Sequence, residues 1–396
     1  MRTMIKSAKN KEGKWIELRR ELHKNAEVGF DLPKTREMIW ERLIQLGYAP
    51  KRLGKSGVLA EVGKGKRAFL LRADMDALPI KEQTGEAFAC KTGNMHACGH
   101  DMHATALLGA AELLKERESQ LNGRILLLFQ PAEEVLEGAN DCIQTGFLEE
   151  YNVQGAATLH VMTDVPFESG VILLPSAGVG APAADFFRVE IRGKACHGAT
   201  PQNGIDALLA GAQTVTALQA IASRECSAVL PVVLTIGQMQ AGNASNVVAE
   251  RCVLKGTMRT FDEEARKNAR ERIEEICKWT AKSMRASAKV TFEGGAPTLI
   301  NDGELLEKVQ PFLREILGED RVIAAKSDSG VVAKSGGSED FAYFTQRIPA
   351  LMFALAAGKT EEGYAEPLHH AKVKFDERAI AYGATALATI AFAFFK

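Results

Sequence analysis

The chain has 396 residues, 46% hydrophobic and 25% charged, long enough to bury a large core and to split into two domains. Its 49 Lys and Arg against 50 Asp and Glu leave a formal net charge of -1, which gives no field to gather nucleic acid or an anionic membrane. The seven cysteines, odd in number and scattered without paired spacing, exclude a disulfide framework or zinc ribbon and point to a reducing cytoplasm.

The basic N-terminus leads into an amphipathic helix rather than an apolar export segment. Trp15, Leu18 and Leu22, then Met38, Ile39, Leu43 and Leu46, follow helical spacing, and Gly47 stands where a C-terminal cap belongs. Two helices therefore open the chain. Apolar runs at 57 to 62 and 68 to 73, a helix from Thr105 to Lys115, and runs at 124 to 129 and 155 to 161 predict strands and helices of an α/β sheet.

From Asp185 the pattern changes to strand, helix (Gly204 to Ser223), strand (AVLPVVLTIGQM), strand (VVAERCVLKGTMRT), helix (Glu263 to Ser283) and strand (AKVTFEG). That βαββαβ order is ferredoxin-like. Alternation then resumes through Leu305 to Leu317 and ALMFALAAG, so the smaller domain reads as an insertion with joints near Pro182 and Pro297. The uncharged run from Ala379 to Phe395 touches the lower length limit for a membrane span, but its Ala, Gly and Thr content reads better as a buried helix.

Chemistry-bearing side chains fall at strand ends. Asp74 and Asp76 follow AFLLRA, Glu133 and Glu134 follow RILLLF, and His160 ends AATLH. Open α/β sheets bind ligands at the carboxyl ends of their strands, so these residues point to one shared site. The segment MHACGHDMH, residues 95 to 103, adds three histidines, a cysteine and an aspartate. Cys98 and His100, separated by one glycine, can bring a thiolate and an imidazole to one small volume. His96 and His103 read as supporting a ligand or starting the next helix.

Adjacent carboxylates in QPAEE point in different directions and can do different jobs, one on a metal and one moving a proton. His369 and His370 offer one more imidazole, and spacing leaves both open. In the smaller domain His197, Asn246 and Arg259 sit in polar turns or at a strand end, where they suit an oxyanion or a carboxylate, although such turns are common on surfaces.

Together the stretches ELHKNAEVGF, RADMDALPI, MHACGHDMH, FQPAEE, TLHV, GKACHGATP, ASNVV, GTMRTF, GGSEDFAYF and PLHHAKVKFDE resemble the metallopeptidase family of aminoacylases and glutamate carboxypeptidases. The resemblance is specifically to its amidohydrolase branch of hippurate hydrolases, N-acetyl-amino-acid deacetylases and plant auxin-conjugate hydrolases. The resemblance runs nearly end to end. It implies a zinc-exopeptidase-like α/β catalytic domain, mixed sheet flanked by helices, over 1–181 and 297–396, with an inserted ferredoxin-like lid or dimerisation domain over 182–296.

The resemblance further implies that Cys98, His100, Glu134, His160 and His369 hold two divalent metal ions, zinc or manganese first, cobalt or nickel next. His369 is preferred to His370 because the family's ligand directly follows the leucine. Glu133 is then the general acid/base, Asp76 steers a ligand or the base, and His197, Asn246 and Arg259 line the substrate side. The implied reaction is metal-assisted hydrolysis of an N-acyl amino acid by a cytoplasmic homodimer or larger homo-oligomer. An exopeptidase or dipeptidase using the same metals is the alternative, and a non-catalytic metal-binding homologue a more distant one. Gln202 and Ala371 depart from the family pattern, which usually carries histidine and proline there, so no member's substrate preference transfers directly.

Overall fold

A computed structural model describes residues 3–227, 229–324 and 337–396. Ala228, first residue of the expected strand AVLPVVLTIGQM, and Gly336, first of GGSEDFAYF, lie outside the described residues. Contacts divide the chain into two compact units. The first comprises the described residues of Met1–Gly180, Ile300–Lys334 and Asp340–Lys396, the second those of Ala181–Leu299 and Ser335–Glu339.

The first unit opens on the helices Met4–Lys24 and Pro33–Gln45. Proline at the first helical position costs no hydrogen bond, because that N–H has no partner within the helix. The second helix ends as Gly47 takes φ +81°, while the N–H groups of Gly47 and Tyr48 donate back to the carbonyls of Ile44 and Leu43. Glycine supplies the left-handed residue this cap requires.

Eight strands form one mixed sheet, in the order Lys51–Leu53, Gly57–Gly63, Arg124–Gln130, Ala68–Asp74, Val153–Met162, Ala350–Ala356, Ile172–Leu174 and Val322–Ala324. The four strands from Arg124–Gln130 to Ala350–Ala356 run parallel, with antiparallel pairings on both sides of them. Ala68–Asp74 is buried along its whole length, as a central parallel strand covered on both faces must be. Arg124–Gln130 is likewise buried beyond its first residue.

The helices Met4–Lys24, His100–Lys115 and Ala379–Phe394 share the main core with these strands. Gly109 lets them approach closely, since a Cβ there would lie 2.8 Å from Ala384 and 3.2 Å from the Trp15 ring. Ala379–Phe394 is apolar on all sides because almost every residue in it is buried. No helix of the described residues is long and apolar enough to cross a membrane.

The second unit follows the expected βαββαβ order. Its antiparallel sheet runs Val232–Ala241, Arg251–Thr260, Ala183–Arg192, Ser287–Ala296, with the helices Ala207–Ala220 and Glu263–Ser283 packed on the same core. Asp206 and Asp262 cap these helices by accepting N–H groups of their first turns. The first helix continues to Glu225 in a wider, π-type turn. A separate two-stranded ribbon pairs Cys196–His197 with Val247–Val248.

Candidate metal centre

The parallel strands converge with their carboxyl ends on one side, and the chemistry gathers there. Ala68–Asp74 delivers Asp74 and leads to Asp76, Arg124–Gln130 leads to Glu133 and Glu134, and Val153–Met162 carries His160. The helix after MHACGHDMH begins at His100, five residues earlier than Thr105, so His100 and His103 occupy its first turn. Gly99 precedes it at φ +83°, and a Cβ there would meet Val161 Cγ2 at 2.3 Å. Only glycine lets the chain turn between Cys98 and His100 against that strand.

Cys98 Sγ lies 3.4 Å from His160 Nε2 and 3.3 Å from His369 Nε2. His369 Nε2 is 3.6 Å from Glu134 Oε2. His100 Nε2 is 3.8 Å from Glu134 Oε1 and 3.9 Å from Glu133 Oε2. Three overlapping groups result: Cys98, His100 and His160; Cys98, Glu134 and His369; His100, Glu133 and Glu134. His369 joins them from the far end of the chain, held at φ +65° with its N–H on the Ala97 carbonyl at 2.9 Å. His370 instead faces Glu366 at 2.9 Å.

The two glutamates were expected to point apart, yet both carboxylates approach the same imidazole. Asp76 gives the reason. Its two carboxylate oxygens accept the consecutive backbone N–H groups of Glu133, at 3.0 Å, and Glu134, at 3.3 Å, so the two residues are held side by side. The Asp76 carbonyl also accepts the Nδ1–H of His100 at 2.9 Å.

These donors fit a divalent cation pair on physical grounds. The Nδ1–H of His100 goes to the Asp76 carbonyl and that of His160 to the Val161 carbonyl at 2.7 Å, which leaves both Nε2 lone pairs turned inward. His100 Nε2 and Glu134 Oε1 are buried with no hydrogen-bond partner among the described residues. Buried polar atoms are rarely left so, and a cation satisfies both. One thiol, three imidazoles and a carboxylate form a donor set suited to zinc and its neighbours.

The electrostatics of four of these donors agree; His100 differs, because burial, which lowers it, is outweighed by the neighbouring Asp74 carboxylate, which holds the imidazole well above its ordinary range. Burial pushes the Glu134 carboxyl up to about 7 and the His160 imidazole down to about 3. Burial also pushes the Cys98 thiol up and lowers His369. Such groups favour their neutral forms until a positive charge arrives to stabilise thiolate and carboxylate.

Sequence reasoning gave no role to Arg72, Arg19 or His23. Arg72, inside the apolar strand, is fully buried and donates to Asp74 at 2.6 Å, Asp340 at 2.8 Å and Gln130 at 2.9 Å. An arginine within AFLLRA was the available signal, because a buried guanidinium needs carboxylates around it. His23, from ELHKNAEVGF, sits between Asp101 at 2.7 Å and Glu82 at 3.2 Å, and Arg19 reaches the same Asp101 oxygen at 2.8 Å. His96 is buried with neither ring nitrogen hydrogen-bonded among the described residues, and burial pushes it down to about 3.

His197, Asn246 and Arg259 belong to the second unit. The ribbon brings the first two together, with His197 opposite Val247 and the N–H of Gly198 on the Asn246 carbonyl at 2.7 Å. Both are exposed. Arg259 lies apart on Arg251–Thr260, its guanidinium 5.6 Å from the centre of the Phe186 ring. Gln202 is exposed in the short turn Pro201–Asn203.

The sequence model of Peptidase family M20/M25/M40 matches residues 70–393. N-acetyl-L-cysteine deacetylase of Bacillus subtilis (strain 168) is 37% identical over 376 residues, 93% of this chain and 85% of that protein. Hippurate hydrolase of Campylobacter jejuni is 32% identical over 389 residues, 97% of each. Among solved structures, the YXEP protein of Bacillus subtilis, described as a dinuclear metal binding peptidase of the M20 family, superposes with a TM-score of 0.80 at 30% identity. That match covers 98% of this chain and 99% of the other. With the family pattern matched over most of its length and relatives aligned nearly end to end, the chain belongs to Peptidase family M20/M25/M40.

Proposed function

We propose that this protein is a metal-dependent amidohydrolase that cuts the amide bond of N-acyl amino acids, releasing a carboxylic acid and a free amino acid. The observation that carries the reading is the convergence of Cys98, His100, Glu134, His160 and His369, with the carboxylate of Glu133 beside them. The relatives named N-acetyl-L-cysteine deacetylase and hippurate hydrolase support the substrate class.

The five donors would hold two divalent cations, zinc or manganese first and cobalt or nickel next. Bound there, the pair supplies Lewis acidity toward the acyl carbonyl and lowers the pKa of water. Glu133 takes a proton from the attacking water onto its carboxylate and returns it to the amine nitrogen as the C–N bond breaks. Asp76 works through Glu133 and Glu134 by holding their backbone. His197 donates to the acyl oxygen, and Arg259 or Asn246 binds the substrate carboxylate. We assign the enzyme to the cytoplasm as a homodimer or larger homo-oligomer, and the 182–296 segment to a lid or dimerisation role.

The test is a hydrolysis panel of acetyl, benzoyl, indoleacetyl and long-chain acyl amino acids beside free-amine dipeptides, with metal analysis of the same preparation. Turnover of the N-acyl substrates alone supports the reading. Preference for the dipeptides makes the protein an exopeptidase, and no hydrolysis with metal restored makes it a non-catalytic homologue.

A further inference from the structure

We propose that Asp74 and His103 form a positioning pair that aims His160 at the centre, and that their cluster with His100 is not a further cation site. The proposal rests on the reading of Cys98, His100, Glu134, His160 and His369 as the metal-holding set.

The His103 Nδ1–H donates to Asp74 Oδ1 at 2.6 Å. With its proton on that side, the ring presents Nε2 as an acceptor, and it takes the N–H of Val161 at 2.8 Å. The carbonyl of the same Val161 accepts the Nδ1–H of His160 at 2.7 Å. One residue of the strand Val153–Met162 thus has its N–H and its C=O both engaged by imidazoles. His103 fixes the backbone of Val161, and Val161 fixes the ring of His160. The rings of His103 and His160 also meet edge to face, with centroids 4.6 Å apart.

The sheet explains why a side chain is needed. The ladder from Ala68–Asp74 to Val153–Met162 ends with Arg72 opposite Thr158, three residues short of Val161. Beyond that point an imidazole, not a backbone carbonyl, takes the Val161 N–H. A buried amide left unpaired there would be destabilising.

Asp74, His100 and His103 approach closely enough to suggest a cation. Their donors are already committed. Asp74 accepts from Arg72 at 2.6 Å with its other oxygen, His103 Nε2 holds the Val161 amide, and His100 Nδ1 donates to the Asp76 carbonyl at 2.9 Å. A cation here would have to stand beside a fully buried guanidinium.

Two substitutions separate the two halves of the His103 contact. Glutamine carries its amide near the Nε2 position and can accept the Val161 N–H, whereas asparagine reaches only toward Asp74. Zinc is returned to chelator-stripped protein and its dissociation constant read by competition, alongside hydrogen exchange of the Val161 amide. His103→Ala and His103→Asn should raise the zinc dissociation constant about 10- to 100-fold and speed Val161 exchange. His103→Gln should recover most of both. A purely structural role would lower the melting temperature of the stripped protein and leave the affinity of the folded fraction unchanged.

Wild-type zinc affinity in all three folded variants overturns the proposal. So does rescue by asparagine but not glutamine, and so does failure of all three to fold. Retention of zinc by Cys98→Ala would sink the ligand reading by itself, while Val161 exchange still reads the pair directly.

Discussion

The carboxylate of Asp76 accepts the backbone N–H of Glu133 at 3.0 Å with one oxygen and that of Glu134 with the other. A single side chain thereby sets the separation between the residue assigned to proton transfer and one assigned to metal. Asp76→Asn turns one acceptor into a donor facing an N–H, which leaves a buried amide unmatched at a cost of about 1–3 kcal/mol. The expected outcome is a loss of about 10- to 100-fold in metal affinity or activity, read by metal titration and steady-state kinetics. Unchanged values for both would remove Asp76 from this role.

Glu133→Gln keeps the size and the backbone N–H that Asp76 holds, and removes only the proton acceptor. Turnover should fall by about 10²- to 10⁴-fold while metal content and melting temperature stay close to wild type. Near-normal turnover in that variant would exclude Glu133 as the general acid/base.

Cys98 faces both His160 and His369, so Cys98→Ala should lose metal together with activity. In the wild type, a chelator should abolish hydrolysis and zinc or manganese should restore it. Each cation site filled at 100 times its dissociation constant should stabilise the stripped protein by about 2.7 kcal/mol. Full metal occupancy in Cys98→Ala would contradict the assignment.

Gly99 combines a φ of +83° with a strand side chain 2.3 Å from where a Cβ would sit. Gly99→Ala should therefore cost about 1–2 kcal/mol for the left-handed backbone and about 1–3 kcal/mol for overpacking. Denaturant unfolding measures the loss. Because Cys98 and His100 flank this residue, metal affinity should fall as well, and a variant as stable as wild type would show that the turn relaxes freely.

Much of the architecture was legible because its signals are local. The runs AFLLRA and RILLLF become central parallel strands, and the second helical run ends at the expected cap, Gly47. Glu263 to Ser283 forms a helix with the bounds expected from its period. The start of the helix at His100 was legible only in part, through the reading that His103 starts the next helix. Residues 100 to 104 carry no distinctive apolar period, and they are helical because Gly99 turns the chain against Val161 and Phe375.

For the site, the chain itself determined which donor types exist and that several stand at strand ends. It also carried the family pattern from which one histidine of the 369–370 pair was preferred. Only the tertiary structure decided which donors meet and how they are oriented. His369 approaches Cys98 across a sequence separation of 271 residues, and Arg72 reaches Asp340 across 268. Contacts of that range leave no period or spacing in the sequence. The directions of two of the imidazoles are set by partners for their Nδ1–H groups, the Asp76 carbonyl for His100 and the Val161 carbonyl for His160. Backbone groups have the same chemistry at every residue, so only the folded chain selects which carbonyl orients which ring.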